Sequence, residues 1–384
     1  MSGSGVLNIG GALTTSGTGA YNTPSVIKGA AGIVLSGTGS WTDSSYSYVN
    51  VGSVFGTGTL TINGSATLDW TGAAGLCIAA FTSGETGKVV QTGGTVKTPT
   101  PSTGWNCCAG PGMIMGNVGA SASTAEYDLN GGTLVASSIY NIRGAGTGLL
   151  PPVGSVVFRF NGGVLQASQP DSTDSNVVAE GCTNLMGNLT HAYVGLGGAK
   201  IDVATFGCGI GQALEHDPAL GVTLDGGLHA MSTGGAGTLA LYKFSTFTGP
   251  LVIDTGVTVN LGYTGTQRVA SVSIGGVNQG TGTFGVGYLN PGGAFTGTGT
   301  VTVLASPPPT PVLPASSLSL PGGVPTFTGI ATVSGYTYYL VWKNDLTDAS
   351  WTPILSGTIS TGSPITLTDP SPAATHRFYR VEDQ

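Results

Sequence analysis

One ten-residue pattern occurs twice in this chain and limits what the chain can fold into. Residues 127–136 read YDLNGGTLVA and residues 158–167 read FRFNGGVLQA, so each copy has alternating apolar residues, an Asn-Gly turn and a second alternation. The Asn residues at positions 130 and 161 are 31 residues apart, and a looser copy, VTLDGGL, occupies residues 222–228. A strand-turn-strand unit that recurs every few tens of residues is typical of solenoids and other repeat arrays.

The Asn-Gly pairs are open to two interpretations when each is taken alone. Between alternating strands, Asn-Gly predicts a two-residue β-hairpin. A parallel solenoid uses the same residues at its corners, because both tolerate left-handed backbone angles. The repeat step favours the solenoid, since a meander would have turns every eight to twelve residues and no longer period.

The composition points to an all-β protein. The 384 residues include 67 Gly, 40% are hydrophobic and only 8% are charged. Glycine without a three-residue period excludes collagen, and a chain so apolar and poor in charge does not have the composition of a disordered one. Apolar residues seldom recur at helical spacing, so helix is nearly excluded.

Charge and hydropathy exclude several classes of partner. Eleven basic and 18 acidic residues give a net charge of −7, which leaves no basic patch for a nucleic-acid backbone. No apolar run is long enough to span a bilayer. The first residues, Met1-Ser-Gly-Ser-Gly, lack the basic start and apolar core of a signal peptide, so a secreted protein would be numbered here as a mature or a recombinant fragment.

Five cysteines could form disulfides or could be small buried hydrophobic residues. They are Cys77, Cys107, Cys108, Cys182 and Cys208. No CxxC pair occurs and no His stands at zinc-ligand spacing, so no metal site is expected. The disulfide interpretation pairs Cys182 with Cys208, and Cys77 with Cys107 or Cys108, and leaves one thiol free.

The segment from about 73 to 125 departs from the repeat pattern and is expected to be an irregular excursion from the stack. Loops of that length are commonly functional, which makes Trp105 a candidate contact residue. The alternative is that Trp105 and a disulfide pin the loop to the stack.

Several motifs in order resemble the autotransporter-associated β-strand repeat family, whose members are large surface or secreted proteins of Verrucomicrobia- and Planctomycetes-like bacteria. The motifs are NGGTL from Asn130, NGGVLQA from Asn161, GGAKID from Gly197, QALEHDP from Gln212, DGGL from Asp225, GTLAL from Gly237, TFTGPLVI from Thr246 and AFTGTGTVTV from Ala294. The resemblance covers residues 1–304. It implies a right-handed parallel β-helix and an extracellular or cell-surface location.

The character of the chain changes after residue 304. Residues 305–316 are rich in proline and are expected to form an extended, semi-rigid linker. Residues 317–384 contain short aromatic-rich strands, which suggest a small β-sandwich. Their strands resemble fibronectin type III-like modules, of immunoglobulin type, at the C-termini of surface proteins in the same bacteria. Trp342 and Trp351 there could stack on sugars or could form the core of the sandwich.

Only one part of the sequence concentrates ionisable groups. The candidates for acid, base or calcium-binding roles, as in polysaccharide lyases and hydrolases, are Asp202, Glu215 and Asp217, with Lys200 or His216 as proton carrier. The structural alternative is favoured: these residues occupy recurring positions of the repeat, and Asp225 stands where Asn stands in other copies, so it would accept backbone hydrogen bonds. We therefore expect no catalytic residues, no enzyme activity and no cofactor, and no Gly-rich loop followed by Lys and Ser or Thr indicates a nucleotide site.

These observations favour an extracellular structural protein that assembles head to tail into a filament or surface layer, as a homo-oligomer or homopolymer. Uncapped ends of the stack and scarce charge would permit such contacts. The alternative is a cell-surface adhesin or glycan-binding protein that contacts surface glycans through Trp105, Trp342 or Trp351. A polysaccharide lyase or hydrolase is the third hypothesis.

Overall fold

The computed structural model is mostly β-structure with almost no helix, as the composition predicted. It describes residues 7–9, 12–15, 25–27, 32–43, 48–51, 57–69, 75–80, 84–98, 112–116, 122–141, 152–171, 183–221, 223–304, 318–330, 337–347, 351–354, 358–359, 364–371 and 377–383. Contacts divide the chain into two units, residues 1–303 and residues 304–384. None of the helices in the described ranges has the length and apolar character needed to cross a membrane.

Strands of the first unit, numbered in chain order, form three stacks in which each strand pairs in parallel with its equivalent in the next repeat. The first stack consists of β1 (Leu7–Ile9), β4 (Gly32–Leu35), β7 (Thr57–Ile62), β10 (Thr86–Lys97), β12 (Ser123–Ala136), β14 (Gly154–Phe160), β17 (His191–Val194) and β20 (Glu215–His216).

The second stack follows the first in each repeat. It consists of β2 (Ala12–Thr15), β5 (Ser40–Asp43), β8 (Thr67–Asp69), the second halves of β10 and β12, β15 (Val164–Ala167), β18 (Ala199–Asp202), β21 (Leu228–Met231), β23 (Leu251–Ile253) and β26 (Val272–Ile274). Because β10 and β12 extend through both stacks, the two belong to one sheet of 17 strands.

The third stack is a separate sheet of ten strands. It consists of β3 (Ser25–Ile27), β6 (Tyr48–Val51), β9 (Gly75–Ile78), β11 (Met113–Met115), β13 (Ile139–Tyr140), β16 (Met186–Gly187), β19 (Gly207–Ile210), β22 (Gly237–Leu241), β24 (Val257–Leu261) and β29 (Phe295–Gly297). Short 3-10 helices at Pro218–Leu220 and Pro291–Gly293 lie in connections of this unit.

The pairing changes at the C-terminal end of the stacks. Strand β26 pairs antiparallel with β27 (Val277–Asn278). A three-stranded sheet follows, in which β30 (Thr300–Val303) pairs in parallel with β25 (Thr266–Arg268) and antiparallel with β28 (Gly282–Phe284). The sequence predicted uncapped stack ends with unpaired backbone groups. At the C-terminal end of the second stack this expectation is wrong, because its last parallel strand, β26, pairs with β27 in a hairpin.

One continuous apolar core runs through the first unit, from Val51 to Val303. Its residues come from strand positions that alternate between buried and partly exposed, which is the period of a β-strand. Phe158 and Tyr127 stack in successive repeats with ring centroids 5.2 Å apart. Burial of these inward side chains holds each repeat against the next.

The predicted irregular excursion over residues 73–125 is wrong for the part that the structure describes. Strands β9, β10 and β11 occupy regular places in the stacks, and Val89, Val96, Met113 and Met115 are buried in the common core. The expectation rested on residues 104–110 and 113–115, which depart from the repeat pattern, and it extended that departure over β9 and β10. Residues 99–111 and 117–121 lie outside the described residues.

The recurring glycines form a column of closely spaced backbone at the corner between the first two stacks. A Cβ atom on Gly131 would lie 2.5 Å from the carbonyl oxygen of Thr92, and one on Gly197 would lie 2.3 Å from that of Asn161. Gly132 also has a φ of +71°, which side chains disfavour. These turn residues are therefore corners of a parallel stack, and the hairpin alternative does not apply to them.

The second unit is antiparallel in its described strands. One sheet consists of β31 (Leu318–Ser319), β32 (Thr326–Ile330) and β36 (Ile365–Thr368). The other consists of β33 (Thr337–Lys343), β34 (Thr352–Pro353), β35 (Thr358–Ile359) and β37 (Phe378–Asp383). A 3-10 helix spans Pro321–Gly323. The small core of the second unit contains Phe327, Ile330, Tyr338, Leu340, Leu367 and Val381. The predicted linker 305–316 lies outside the described residues.

Candidate functional site

A row of charged side chains crosses the outer face of the first stack. We call it the charged row; it consists of Lys88, Glu126, Asp128, Arg159, His191, Glu215 and Asp217. Strand register brings these residues together, since Lys88 is paired with Glu126, and Asp128 with Arg159. In a chain with 8% charged residues this is an unusual concentration of ionisable groups.

The cations of the charged row each contact more than one carboxylate. Lys88 Nζ lies 3.2 Å from Glu126 Oε2 and 2.7 Å from Asp128 Oδ2. Arg159 Nε lies 3.0 Å from Glu126 Oε1, and Arg159 Nη1 lies 2.8 Å from Asp217 Oδ2. These contacts therefore connect three successive strands, β10, β12 and β14, with each other and with the turn after β20.

Two neighbouring carboxyl groups in the charged row have pKa values displaced in opposite directions. Burial raises the pKa of Asp128, and the charge of Glu126 adds to the effect. Burial acts in the same direction on Glu126, but hydrogen bonding from Arg159 and the charge of Lys88 hold its pKa below the usual value. Such a pair can share a proton in principle. Both, however, are engaged by cations, and this favours a role in holding the repeats together.

The ionisable residues singled out in the sequence have separate partners and do not form one catalytic group. Asp217 accepts from Arg159 and from the backbone of Ala219. Glu215 lies 3.0 Å from His191. Asp202 accepts from the backbone N–H groups of Ala204 and Thr233 and from Gln166. Lys200 lies in β18, in register with His229.

His216 is part of a structural corner. Its Nδ1 lies 2.9 Å from Asp225 Oδ2, and its Nε2 lies 3.0 Å from the carbonyl oxygen of Gly221. The Asp225 side chain is fully buried and accepts backbone N–H groups from Gly227, Thr248 and Gly249 at 2.7–2.9 Å. Asp225 therefore has the backbone-accepting contacts that its position in the repeat predicted, and it orients His216. Within the described ranges, no three His, Cys, Asp or Glu residues are placed to hold a metal ion.

The aromatic candidates of the second unit lie under cations. Arg377 Cζ is 3.7 Å from the ring centroid of Trp342. Trp351 has Arg380 Cζ at 4.4 Å and Lys343 Nζ at 5.1 Å. Cation–π contacts of this kind occupy ring surface that a sugar would need for stacking. Sugar contact by these two residues stays a prediction.

The cysteine and Trp105 predictions fall largely outside the described residues. Cys77 and Cys208 are buried, and neither forms a disulfide within the part of the chain that is described. Burial raises the pKa of the Cys208 thiol to about 12, so it is not a reactive thiolate at neutral pH. Trp105, Cys107, Cys108 and Cys182 are not among the described residues, and the disulfide pairing stays a prediction.

A group of exposed apolar side chains follows the last parallel strand of the second stack. We call it the terminal apolar patch; it consists of Val277, Val286, Tyr288 and Leu289, which are 51–63% exposed. The backbone presents Tyr288 on a turn, since its N–H donates to the carbonyl of Gly285 at 3.1 Å. Neighbouring Phe284 is fully buried, so the segment is anchored while these four side chains face solvent.

The sequence interpretation singled out Glu215 and Asp217 but missed the rest of the charged row, and it missed the terminal apolar patch. The row had a usable signal, because Asp128 and Arg159 occupy the same position in the two best copies of the repeat. Equivalent positions of a parallel stack are neighbours, so opposite charges there predict an ion pair. The patch had no comparable signal, because isolated apolar residues in a Gly-rich segment can equally be buried.

No family model, curated protein or solved structure matches this chain.

Proposed function

We propose that this chain is an extracellular structural protein whose copies associate head to tail into a filament or surface layer. The first unit would be a parallel β-helix and the second a small β-sandwich. The terminal apolar patch would be one side of the contact between copies.

The order of the strands supports the β-helix. Along the chain, strands of the first, second and third stacks follow one another repeatedly, as in β1, β2, β3 and then β4, β5, β6. Each strand pairs in parallel with the strand one repeat later. In solenoids each repeat contacts its neighbours, and its apolar interior is buried by stacking. A chain organised in this way suits a long, stiff structural element.

The terminal apolar patch carries the proposal of self-association. Four large apolar side chains, each more than half exposed, lie within residues 277–289, whereas most of the described apolar residues of the same unit are buried. Where exposed apolar groups form a contiguous surface, they mark interaction sites in soluble proteins. A second copy is the partner that we propose for this surface. A contact between the patch and a different surface of that copy propagates as a filament unless its rotation closes a ring.

The low charge of the chain supports both association and an external location. Outside the charged row, few ionisable groups oppose the approach of another copy. The Thr- and Gly-rich repeats resemble those of secreted and surface proteins. These two points motivate the extracellular assignment, and locating the protein in its source cells with an antibody would test it.

Imaging the full-length protein tests assembly. Negative-stain electron microscopy and light scattering over a range of concentrations should show particles that lengthen as concentration rises. Tyr288→Asp places a charge in the patch and should leave monomers. Leu196→Asp is the matched control, because Leu196 is 62% exposed but lies in a corner of the stack, and it should assemble like the unaltered protein.

Two results would contradict the proposal. A monomer at every concentration and salt concentration would remove self-association. A closed dimer that does not grow would show that the patch contacts itself in the partner, which excludes a head-to-tail filament.

A further inference from the structure

Tyr242 is an exposed aromatic ring that lies flat across neighbouring repeats. A Cβ atom on Gly209 would be 2.3 Å from Cε2 of Tyr242, and one on Gly262 would be 2.9 Å from Cδ1. The two edges of the ring therefore rest on glycines of the preceding and following repeats. The ring is nevertheless 42% exposed. The absence of side chains at both glycines allows this arrangement and leaves the outer face of the ring to solvent.

A second exposed ring lies close by in the chain. Phe244 is 45% exposed and packs edge-on against Tyr263, with ring centroids 5.5 Å apart and planes at 87°. Tyr263 itself is buried, and its hydroxyl donates to the carbonyl of Thr300 at 3.3 Å. Phe244 and Tyr242 thus both rest on the segment 262–265 of the next repeat. Two partly exposed rings are therefore held against one segment of backbone.

A carboxylate lies beside Tyr242. Asp171 Oδ1 accepts the backbone N–H of Gly209 at 2.9 Å, and Asp171 Oδ2 lies 3.0 Å from the position of a Cβ atom on the same glycine. Gly209 is therefore in contact with both the ring and the carboxylate. Backbone groups of Gly209 and Leu185 donate to Asp171, which leaves about half of the four acceptor sites of a carboxylate for other donors.

We propose that Tyr242, Phe244 and Asp171 form a binding site for a neutral polysaccharide. The apolar C–H face of a sugar ring would stack on the exposed face of Tyr242, Phe244 would contact the neighbouring sugar, and a sugar hydroxyl would donate a hydrogen bond to Asp171. This is a binding function in addition to self-association.

The chemistry of the three residues selects this class of ligand. A flat apolar surface beside a hydrogen-bond acceptor matches a molecule with one apolar face and a rim of hydroxyl groups. An apolar peptide would cover the Asp171 carboxylate without replacing its hydration, which is costly. Acidic polysaccharides and nucleic acids would be repelled by Asp171 and by the net charge of −7.

Affinity electrophoresis of the full-length protein tests the proposal with three soluble probes: a β-glucan, a galactomannan and polygalacturonate. At least one neutral polysaccharide should retard the protein, and polygalacturonate should retard it less. Tyr242→Ala should weaken binding about tenfold. Phe244→Ala and Asp171→Asn should weaken it severalfold, whereas Tyr242→Phe keeps the ring and should bind within about twofold.

Leu196→Ala serves as the control, because it removes an apolar side chain that is 62% exposed and belongs neither to the proposed site nor to the terminal apolar patch, and it should bind like the unaltered protein. If Tyr242→Ala fails to fold, as judged by thermal unfolding, Phe244→Ala and Asp171→Asn decide the question. The proposal is wrong if neither neutral probe retards the protein, or if polygalacturonate binds equally well. Unchanged binding in folded Tyr242→Ala, or in both other variants, would also overturn it.

Discussion

The side-chain amide of Asn161 donates a hydrogen bond to the side-chain oxygen of Asn130 at 3.1 Å, across 31 positions of sequence. In turn, Asn161 Oδ1 accepts the backbone N–H of Gly197 at 2.8 Å. The repeat step in the sequence is therefore one step along the stack. Residues that are equivalent in sequence become neighbours in space, and this relation underlies the predictions below.

Gly226→Ala should destabilise the protein strongly. Its Cβ atom would lie 2.2 Å from the backbone nitrogen of Gly198, so the corner must move apart. We expect a loss of at least about 2 kcal/mol in the free energy of unfolding, measured by urea denaturation. Gly207→Ala is the matched control, because nothing lies within 4 Å of its Cβ position, and its stability should be unchanged or slightly higher. Equal effects of the two substitutions would refute the close backbone contact.

Asp225→Ala should be among the most destabilising substitutions at a charged residue. It removes the acceptor for three backbone N–H groups and His216, and the donors would remain buried without partners. We expect a loss of more than about 3 kcal/mol. Asp225→Asn keeps one acceptor oxygen and should lose less. Asp254→Ala, which removes an acid that is 41% exposed and contacts His229, should change stability by no more than about 0.5 kcal/mol. Thermal and urea unfolding measure all three, and a mild effect of Asp225→Ala would contradict the corner role.

Asp171→Asn should make the protein more stable at neutral pH. Burial raises the pKa of Asp171 to about 6, so the folded state holds the proton more tightly than the unfolded state. The contribution of Asp171 to folding stability is present below about pH 4, which is the usual pKa of an Asp carboxyl in an unfolded chain. It is lost as the pH rises through 6. Cys208 and Tyr242 face this carboxyl, and neither supplies a positive charge.

We therefore expect Asp171→Asn to match the unaltered protein near pH 4 and to exceed it by about 1 kcal/mol at pH 8. The estimate is discounted because the group is partly exposed to solvent. Melting temperatures at several pH values measure the difference. If the variant gained more stability over the unaltered protein at pH 4 than at pH 8, the effect would have the opposite sign. That result would refute the raised pKa of Asp171. Weaker polysaccharide binding by this variant could not then be attributed to unfolding.

Tyr127→Phe should lose one buried hydrogen bond and little packing. The Tyr127 hydroxyl donates to Gln91 Oε1 at 2.6 Å inside the core, and Gln91 is fully buried. Removing the hydroxyl leaves that oxygen without its donor, at a cost of about 1–2 kcal/mol. Tyr242→Phe is the control at a partly exposed ring and should be nearly neutral. No difference between the two in urea denaturation would show that the buried bond contributes nothing.

Much of the fold could be read from local patterns. The NGG and DGG corners, the alternation of buried positions and the scarcity of helix follow from residue chemistry, because Gly and Asn permit left-handed angles and alternation suits a strand. The excursion over 73–125 was mispredicted in its described part because residues of this segment depart from the repeat pattern. Pairing with β12 on one side and with β7 and β8 on the other overrides that local signal.

The candidate sites were much less accessible to sequence reasoning. Glu215, His216 and Asp217 are adjacent in the chain, yet they contact His191, Asp225 and Arg159 respectively. Alternation sends His216 to the opposite side from Glu215 and Asp217, and these two carboxylates have different partners within the charged row. Conversely, Tyr242 and Asp171 are far apart in sequence. They meet because both contact Gly209 in β19, which lies between their repeats.

The sequence by itself determined the type of structure: a β-rich chain of short strands with glycine corners at a recurring step. The tertiary structure alone decided which polar groups meet, which aromatic rings remain exposed, and how the stack ends in antiparallel strands. The physical reason is that strand formation and turn geometry depend on residues close in the chain. Ion pairs, exposed faces and edges depend on register between repeats, which is set by side-chain packing across tens of residues.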